Sequence, residues 1–381
     1  MAYFRKEPLV AVLKMVAGFA GKFPVSREGS PSEEVVLVRL IFNGAKLIVE
    51  AVNPTMGIGM RQEIATPDQS DDHVYIVPLK TLLDVVTAGG NGIEFTHEKK
   101  GLGVQNDGGK FLVKNVGELD AIPLIEGAAA AAEETDFTGV MLAEAINLVA
   151  DAAERNNDSR PYLAGVRVAP DKKGGVTFVA TDGNRMGVYT KKTDTPKAFE
   201  TAFTIPIEAV RPITTTLSQQ QENVWLVVVS NKVEFHWQDG YVFTLRQADN
   251  FPQWEQLIPR SCGTKITFNG SLAAALKTAR IVAREDPAMP LVTLTVGKDK
   301  VTVTSEVADV GKTTTEVSPT SIEGKDTEVS FNINLIPVSQ LSSGAVVELN
   351  AAQNVNPTAP SLWKSPAIEG WQYLLMPIRR F

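Results

Sequence analysis

The stretch YIVPLKTLLDVV (residues 75–86) contains the junction that organises the fold: an apolar run ends at Pro78, and a helix-like pattern begins directly after it. Proline favours the first turn of a helix, because its φ is fixed and it has no N–H to leave unpaired. The same junction recurs in FTIPIEAVRPIT and SFNINLIPVSQL, where Pro206 and Asn334 correspond to Pro78. Each junction lies 128 residues after the previous one. This spacing, about one third of the chain, indicates an internal repeat.

A second set of markers recurs at nearly the same spacing. Helix-like segments rich in alanine and leucine follow Phe4, Phe137 and Phe268, which are 133 and 131 residues apart. Short runs that alternate apolar and polar residues fill the intervals, as β-strands do. The sequence therefore predicts an α+β fold of three repeated domains, each with two helices and antiparallel sheets of roughly eight strands.

Two segments between the repeats are expected to be linkers. EGAAAAAEETD (126–136) has low complexity, and IPRSCGTK (258–265) precedes the third repeat. The predicted domains are therefore residues 1–127, 128–258 and 259–381.

Glycine-containing pairs predict tight turns between strands. EEVVLVRLIFNGAKLIVEAVN alternates around Asn43-Gly44, which predicts a hairpin there, and Asp239-Gly240 predicts another. Asp182-Gly183 has the same character, but Arg185 and Met186 follow it at positions where a plain turn needs neither residue. This loop is therefore a turn, a catalytic loop or a wall of a binding site.

Composition places the chain among ordinary globular proteins. It has 381 residues, 44% of them hydrophobic, and a net charge of -7, which argues against general attraction to nucleic acid but leaves room for a local basic surface. The single cysteine, Cys262, rules out an intramolecular disulfide. The N-terminal segment is interpreted as an amphipathic helix rather than a signal peptide, because Lys14 interrupts its apolar stretch. We expect a cytoplasmic protein without a membrane segment.

Catalytic and cofactor motifs are not found in the sequence. His73, His97 and His236 are far apart along the chain and lack metal-ligand spacing, so we expect no metal and no cofactor. VGKTTTE ends like a phosphate-binding loop, but Glu306 stands where that loop requires its first glycine. No nucleophile is paired with a histidine, and we expect no enzymatic activity. The alternative from another functional class is a β-rich hydrolase that uses Asp182 and Asp239, although both lie in Asp-Gly turns, where aspartate binds the local backbone.

Three segments together resemble the bacterial sliding clamp, the DNA polymerase III beta subunit. VATDGNRMGVY (179–189) resembles a strand and loop of its second domain, and DNFPQWEQLIP (249–259) resembles the segment that closes that domain. YLLMPIRRF (373–381) resembles the clamp's C-terminal end. Each segment alone is a weak signal, but all three occur in order in a chain of three domain-sized repeats.

The resemblance implies a head-to-tail homodimer whose six domains form a ring around double-stranded DNA, without sequence preference. Such a ring tethers the DNA polymerase III alpha subunit, a clamp loader, other polymerases and repair proteins through short linear peptides, and it performs no bond chemistry itself. A clamp-like paralogue, such as a phage-encoded or drug-insensitive copy, would share every one of these features and stays open as an alternative.

The resemblance also implies a pocket for partner peptides between the second and third domains, with the Asp182-Gly183 loop as one wall. Peptides of this family carry a glutamine and bulky apolar residues. The matching positions are Leu163, Thr181, Gly183, Asn184, Arg185, Met186, Pro252, Leu257, Leu374, Met376, Pro377, Ile378 and Arg379.

Two further sets of residues follow from the resemblance. The residues expected to face the encircled DNA are Lys22, Lys80, Arg160, Arg211, Lys277 and Arg284. The residues expected at the dimer contact are Phe111 and Val113 on an edge strand of the first domain, and Ile281 and Val282 at the end of a helix in the third.

Overall fold

The computed structural model describes the chain in eight segments, which fall into two compact units. The described residues are 2–27, 30–116, 122–127, 130–155, 159–247, 250–341, 344–350 and 359–378. One unit comprises Met1–Glu144 with Glu208–Gln247, and the other comprises Ala145–Ile207 with Ala248–Phe381. We call them unit 1 and unit 2. No helix within the described segments is long and apolar enough to cross a membrane.

Helices make up the smaller part of the secondary structure. The α-helices of the described chain are α1 (Lys6–Ala17), α2 (Leu79–Ala88), α3 (Gly139–Ala150), α4 (Ile207–Leu217) and α5 (Ser271–Ala283). Three of them begin where the repeat predicts: α1, α3 and α5 follow Phe4, Phe137 and Phe268. All three phenylalanines are buried. The predicted α+β class is confirmed.

At the sixth helix position, the chain makes two short 3-10 turns, Ile333–Leu335 and Val338–Gln340. The predicted second helix of the third repeat is therefore wrong. Pro337 lies between the two turns, where its missing N–H and its ring prevent the helical hydrogen-bond pattern from continuing.

The strands are numbered in chain order. The first twelve are β1 (Ala2–Arg5), β2 (Lys22–Arg27), β3 (Ser30–Asn53), β4 (Ile58–Pro78), β5 (Gly92–Glu98), β6 (Gly101–Asn106), β7 (Gly109–Lys114), β8 (Glu133–Thr138), β9 (Gly165–Asp171), β10 (Gly175–Thr181), β11 (Arg185–Lys192) and β12 (Phe203–Pro206). The remainder are β13 (Asn223–Val228), β14 (Lys232–Trp237), β15 (Gly240–Leu245), β16 (Thr264–Thr267), β17 (Leu291–Val296), β18 (Val301–Val307), β19 (Gly311–Val317), β20 (Ser321–Gly324), β21 (Thr327–Asn332), β22 (Val346–Leu349), β23 (Ser361–Lys364) and β24 (Trp371–Leu375).

Each unit has one large and one small antiparallel sheet. Unit 1 has a seven-stranded sheet in the order β2-β3-β4-β15-β14-β13-β8 and a four-stranded sheet in the order β1-β5-β6-β7. Unit 2 has a nine-stranded sheet, β12-β9-β10-β11-β24-β23-β22-β16-β20, and a four-stranded one, β19-β18-β17-β21. Each large sheet contains strands from two of the predicted domains. The boundaries of the three-domain division stay a prediction.

The predicted hairpin at Asn43-Gly44 is wrong. The chain continues through these residues as the 24-residue strand β3, which pairs with β4 from Leu37↔Pro78 to Asn53↔Ile58. Gly44 has a φ of 58° and lies where the register shifts, so it forms a bulge rather than a turn. Pairing along the whole of β4 therefore overrides a local turn signal.

Unit 1 also buries a group of charged side chains. The Glu234 side chain is fully buried on β14, with Lys232 Nζ at 2.6 Å and His236 Nε2 at 2.7 Å from its two oxygens. Burial favours the neutral acid, but the hydrogen bonds from His236 and Lys232 outweigh it and lower the pKa of Glu234. This carboxylate is therefore held ionised inside the sheet.

Candidate functional site

The Asp182-Gly183 loop joins β10 to β11 and is closed by the Asp182 carboxylate. Its Oδ1 accepts hydrogen bonds from the backbone N–H groups of Asn184 (2.8 Å) and Arg185 (3.0 Å), and its Oδ2 accepts one from Arg185 Nε (2.8 Å). Thr181 Oγ1 accepts from the Gly183 N–H (3.1 Å) and donates to the Arg185 carbonyl (2.7 Å). Gly183 has a φ of 89°, which a glycine adopts without strain.

This geometry argues against the hydrolase alternative. Both Asp182 oxygens are occupied by bonds within its own loop, so the carboxylate is not free to activate a substrate. Asp239 lies in the turn between β14 and β15, and its carbonyl accepts from Glu63 N (2.7 Å) and Gln62 Nε2 (3.0 Å). Asp182 therefore has a structural explanation in its turn, whereas the bonds at Asp239 involve its backbone carbonyl and not its carboxylate.

The C-terminal strand lies directly beside this loop. β11 pairs with β24 so that Met186 is opposite Leu374, and the Met376 N–H donates to the Asn184 carbonyl at 2.8 Å. The Ile378 N–H then donates to the Ser330 carbonyl, also at 2.8 Å. Two of the three motif segments, more than 180 residues apart in the sequence, thus form one continuous surface.

A hydrophobic floor extends across four strands of the same sheet. Its members are Val179, Met186, Val188, Leu362 and Leu374. They form a cross-strand row, because the register pairs Val179 with Val188, Met186 with Leu374, and Leu374 with Leu362.

The third motif segment packs against this floor. Phe251, Trp254 and Ile258 are half-buried and contact it, while the floor residues Met186 and Leu374 are only 3% and 4% exposed. A partner would therefore reach the floor through the side chains that cover it or by displacing them. Leu257, in the same segment, is 53% exposed and is the most accessible apolar residue of the predicted set.

The remaining pocket residues are placed as follows. Pro252 and Met376 to Ile378 are half-buried, and Gly183 and Asn184 are exposed. Thr181 and Leu163 are buried, the latter at the end of the 3-10 turn Pro161–Leu163. Arg379 lies outside the described residues.

Sequence reasoning missed most of the floor and its cover. Val179 and Val188 could have been found, because they alternate inward with Thr181 and Met186 on β10 and β11. Leu362 had no local signal, because it joins the floor only through the pairing of β23 with β24. Trp254 lies within a quoted motif but was not among the predicted residues.

Arg160, predicted to face DNA, lies against the loop. Its Nη2 is 3.1 Å from Glu154 Oε2, and a Cβ added to Gly183 would lie 2.5 Å from its Nη1. The glycine therefore makes room for this guanidinium. A role for Arg160 in contacting DNA stays a prediction.

The other predicted DNA-facing residues are exposed in both units. Lys22, at the start of β2, Lys80 on α2 and Arg211 on α4 belong to unit 1, where Arg211 and Lys14 line a groove of about 600 Å³ between α1 and α4. Lys277 on α5 and Arg284 after it belong to unit 2, and Arg284 Nε is 3.2 Å from Glu285 Oε1. Their contact with DNA stays a prediction.

The predicted dimer residues differ in accessibility. β7 is an edge strand, and Phe111 on it is half-buried, but Val113 is only 2% exposed because it faces the interior of unit 1. Its side chain is therefore not available to a partner, whereas the neighbouring Leu112 is 48% exposed. Ile281, on the last turn of α5, is 57% exposed, and Val282 is half-buried.

Two of the three histidines are neighbours in space, although they are distant in the sequence. The ring centroids of His73 and His97 are 3.9 Å apart, and Tyr75 Oη lies 3.0 Å from His97 Nδ1. Burial, followed by the nearby His73, lowers the pKa of His97. Within the described segments, no three metal-ligating side chains converge.

Two family models match the chain in succession. The first, "DNA polymerase III beta subunit, central domain", matches residues 137–253, and the second, "DNA polymerase III beta subunit, C-terminal domain", matches residues 255–379. Together they cover well over half of the chain.

Curated proteins with similar sequences carry the name of the same family. A protein named "Beta sliding clamp" from Synechococcus elongatus is 24% identical over 313 residues, which are 80% of this chain and 80% of that protein. One of the same name from Streptococcus pneumoniae is 26% identical over 241 residues, 63% of this chain and 62% of that protein.

The structure of the DNA polymerase III beta chain from S. pneumoniae has a TM-score of 0.86 at 18% identity, and that of the beta subunit from Pseudomonas aeruginosa has 0.85 at 18%. Both comparisons cover 100% of each chain, and at this identity they show that the fold is shared.

Proposed function

Because this chain belongs to the beta-subunit family of DNA polymerase III, the sliding clamps, we propose that it is a non-catalytic ring that encircles duplex DNA and tethers a replicative polymerase to it. The observation that best supports this function is the pairing of β11 with β24, which assembles the motif segments into one surface. As a replication protein of this kind, it would work in the cytoplasm. A phage-encoded or drug-insensitive paralogue would have the same structure and remains the alternative.

The ring would form from two chains joined head to tail. The unpaired edge of β7, with Leu112 exposed on it, offers backbone hydrogen-bonding groups and apolar surface to a partner. Ile281 offers an exposed apolar side chain for the other half of the contact. Burying a side chain of this size contributes about 1.5–3 kcal/mol.

The acidic charge of the chain suits a ring that slides. A protein that makes many phosphate contacts releases counterions, binds tightly at low salt and resists movement. A ring holds DNA topologically, so a few exposed cations such as Lys22, Lys80 and Arg211 suffice to line the path. The net charge of -7 would then limit nonspecific binding elsewhere.

Partner peptides would bind at the hydrophobic floor and its cover. Peptides with a glutamine and bulky apolar residues need a few deep apolar contacts and nearby backbone groups, and most of their affinity would come from a few anchors. Leu257 and Met376 present apolar atoms at the rim, and the exposed Asn184 places a polar side chain in the adjacent loop. The DNA polymerase III alpha subunit, the clamp loader, and other polymerases and repair proteins are the proposed partners.

Retention on circular DNA tests the ring directly. The purified chain would be loaded onto nicked circular DNA with a clamp loader and ATP, and bound protein would be separated by gel filtration before and after the circle is cut. We expect retention on the circle and loss on the linear form, because a topological link ends when the DNA has free ends. Equal retention on both forms would show an ordinary DNA-binding protein.

A second experiment tests the peptide site separately. Calorimetric titration with a glutamine–leucine–phenylalanine peptide should show binding that Leu257→Ala weakens by roughly fivefold to thirtyfold, the effect of truncating an interface anchor worth about 1–2 kcal/mol. Val310→Ala is the matched control, because Val310 is 56% exposed in the same unit and lies outside the site. Wild-type affinity in Leu257→Ala would exclude Leu257 as an anchor.

A further inference from the structure

A second cavity in unit 2 lies on the other face of the sheet from the hydrophobic floor. Side chains alternate along a strand, so Met186 and Leu374 face the floor while Arg185 and Tyr373 face the opposite side. There they line a cavity of about 500 Å³, together with the end of α3, part of α5 and residues 334–340. The last segment is the pair of 3-10 turns that replaces the predicted sixth helix.

The wall made by these turns is held in place by side chains. Arg280 Nη2 donates to the Ile333 carbonyl at 3.0 Å, and the Tyr373 hydroxyl donates to the Leu335 carbonyl at 2.9 Å. Burial raises the pKa of Tyr373, although the neighbouring Arg185 opposes this, so the hydroxyl keeps its proton as a donor. The cavity therefore has fixed walls on at least two sides.

The lining is strongly basic in an acidic chain. Its four basic side chains are Arg155, Arg185, Lys277 and Arg280, and its one acidic side chain is Asp151. Asp151 is a weak partner, because its carboxylate is mostly exposed and lies 3.6 Å from the Arg155 guanidinium.

Two of these cations lack a full set of partners among the described residues. Arg280 Nε is buried and has no hydrogen-bond acceptor, and Lys277 has no carboxylate within 4.0 Å. Lys277 is exposed and lines the cavity, so an anion bound there would supply it with an acceptor for a charge-assisted hydrogen bond.

We propose that this cavity binds a small phosphoanion with linked phosphoryl groups, such as inorganic pyrophosphate or the triphosphate of a nucleotide. Guanidinium groups match phosphate oxygens in pairs, and cations from three separate chain segments suit an anion longer than a single phosphate. The volume lies within the range of small-ligand sites. This inference goes beyond the proposed clamp function. Because Lys277 is also among the residues predicted to face DNA, a DNA duplex is included as a competitor in the test.

The test is calorimetric titration of the full chain with inorganic pyrophosphate and, separately, with dATP, both without divalent metal. We expect saturable binding that Arg155→Gln with Lys277→Gln weakens at least tenfold. Both residues are exposed, so this variant should fold, and a second variant, Arg280→Gln, should weaken binding as well. The matched control is Arg260→Gln with Lys298→Gln, which removes the same charge from exposed positions of unit 2 outside the cavity.

Both of two outcomes would support the proposal. Tighter binding of dATP than of pyrophosphate would indicate a nucleotide as the ligand, and equal binding would indicate that the phosphoryl groups alone determine affinity. Four results would overturn the proposal. These are the absence of saturable binding, equal weakening in the control, equal competition by sulfate or by an acidic peptide, and displacement of pyrophosphate by a short DNA duplex. The last result would assign these cations to the path of the DNA.

Discussion

Replacing Gly183 by alanine tests whether the Asp182-Gly183 loop is a wall of the peptide site. Two effects on stability are expected. The first is backbone strain, because Gly183 has a φ of 89°, and the second is a steric clash, because an added Cβ would lie 2.5 Å from Arg160 Nη1. Gly174, in the turn between β9 and β10 of the same unit, has a φ of 81° with nothing within 4 Å of an added Cβ. Gly174→Ala therefore carries the backbone cost alone and is the matched control.

The magnitudes follow from these two geometries. A left-handed conformation costs an L-residue about 1–2 kcal/mol, so Gly174→Ala should destabilise unit 2 by about that amount. Gly183→Ala should carry the same cost and also displace the Arg160 guanidinium from Glu154, at 3.1 Å. Because Arg160 is partly exposed, the loss of this ion pair adds only about 0–1 kcal/mol. The stability difference between the two variants should therefore be small, and the binding difference large.

The assays are urea unfolding and calorimetric titration with the peptide used for Leu257→Ala. We expect Gly174→Ala to bind at wild-type affinity and Gly183→Ala to bind more weakly, because the added methyl group displaces Arg160 beside the loop and Met376 is bonded to the adjacent Asn184 carbonyl. If both variants unfold at the same urea concentration and both bind normally, the loop is only a turn and the pocket-wall interpretation fails.

Three further predictions use other parts of the structure. Ile281→Ala with Val282→Ala should give folded monomers in analytical ultracentrifugation, and an unchanged dimer would remove the end of α5 from the proposed contact. Leu374→Ala, at the centre of the hydrophobic floor, should cost about 2–5 kcal/mol in urea unfolding, and a cost near zero would show that the floor is loosely packed. Glu234→Gln should cost about 1.5–3 kcal/mol at pH 7, because a neutral amide replaces the buried carboxylate that is hydrogen-bonded to Lys232 and His236. The lowered pKa of Glu234 stabilises the folded state above the unfolded pKa of 4.5, and this contribution is lost as pH falls through the folded value. The difference in free energy of unfolding between wild type and Glu234→Gln should therefore shrink on acidification. A difference that does not change with pH would contradict this prediction.

The repeat was the part of the fold most accessible from sequence. Helix starts recur because a buried phenylalanine or a proline marks each one, and these are local signals within a single sequence. The failures are places where distant residues decide the local conformation. Asn43-Gly44 has the composition of a turn but lies within a paired strand, and Pro337 interrupts a helix that the repeat alone would predict.

The candidate site was predictable only through the resemblance. Its loop could be recognised as a turn, and the structure explains it by the bonds that Asp182 makes within it. The pairing of β11 with β24 has no local signal, because the two strands are separated by most of unit 2's sequence. Leu362 also has no local signal, because it joins the floor only through the pairing of β23 with β24. Val113 is buried, because which side chain points outward from an edge strand depends on the register of the whole sheet, and its role in a dimer stays a prediction.

The pairing of β11 with β24 links the two candidate sites of unit 2 while keeping their surfaces separate. Neighbouring residues on one strand point to opposite faces, so Met186 belongs to the floor and Arg185 to the basic cavity, and Leu374 and Tyr373 divide in the same way. Loss of the strand pair would therefore remove both sites. Substitutions at the accessible rim of one face leave the backbone pairing intact, so Leu257→Ala should not change pyrophosphate binding, and Arg155→Gln with Lys277→Gln should not change peptide binding. If either variant altered both affinities, the two faces would be coupled through the sheet, and the sites would have to be treated as one.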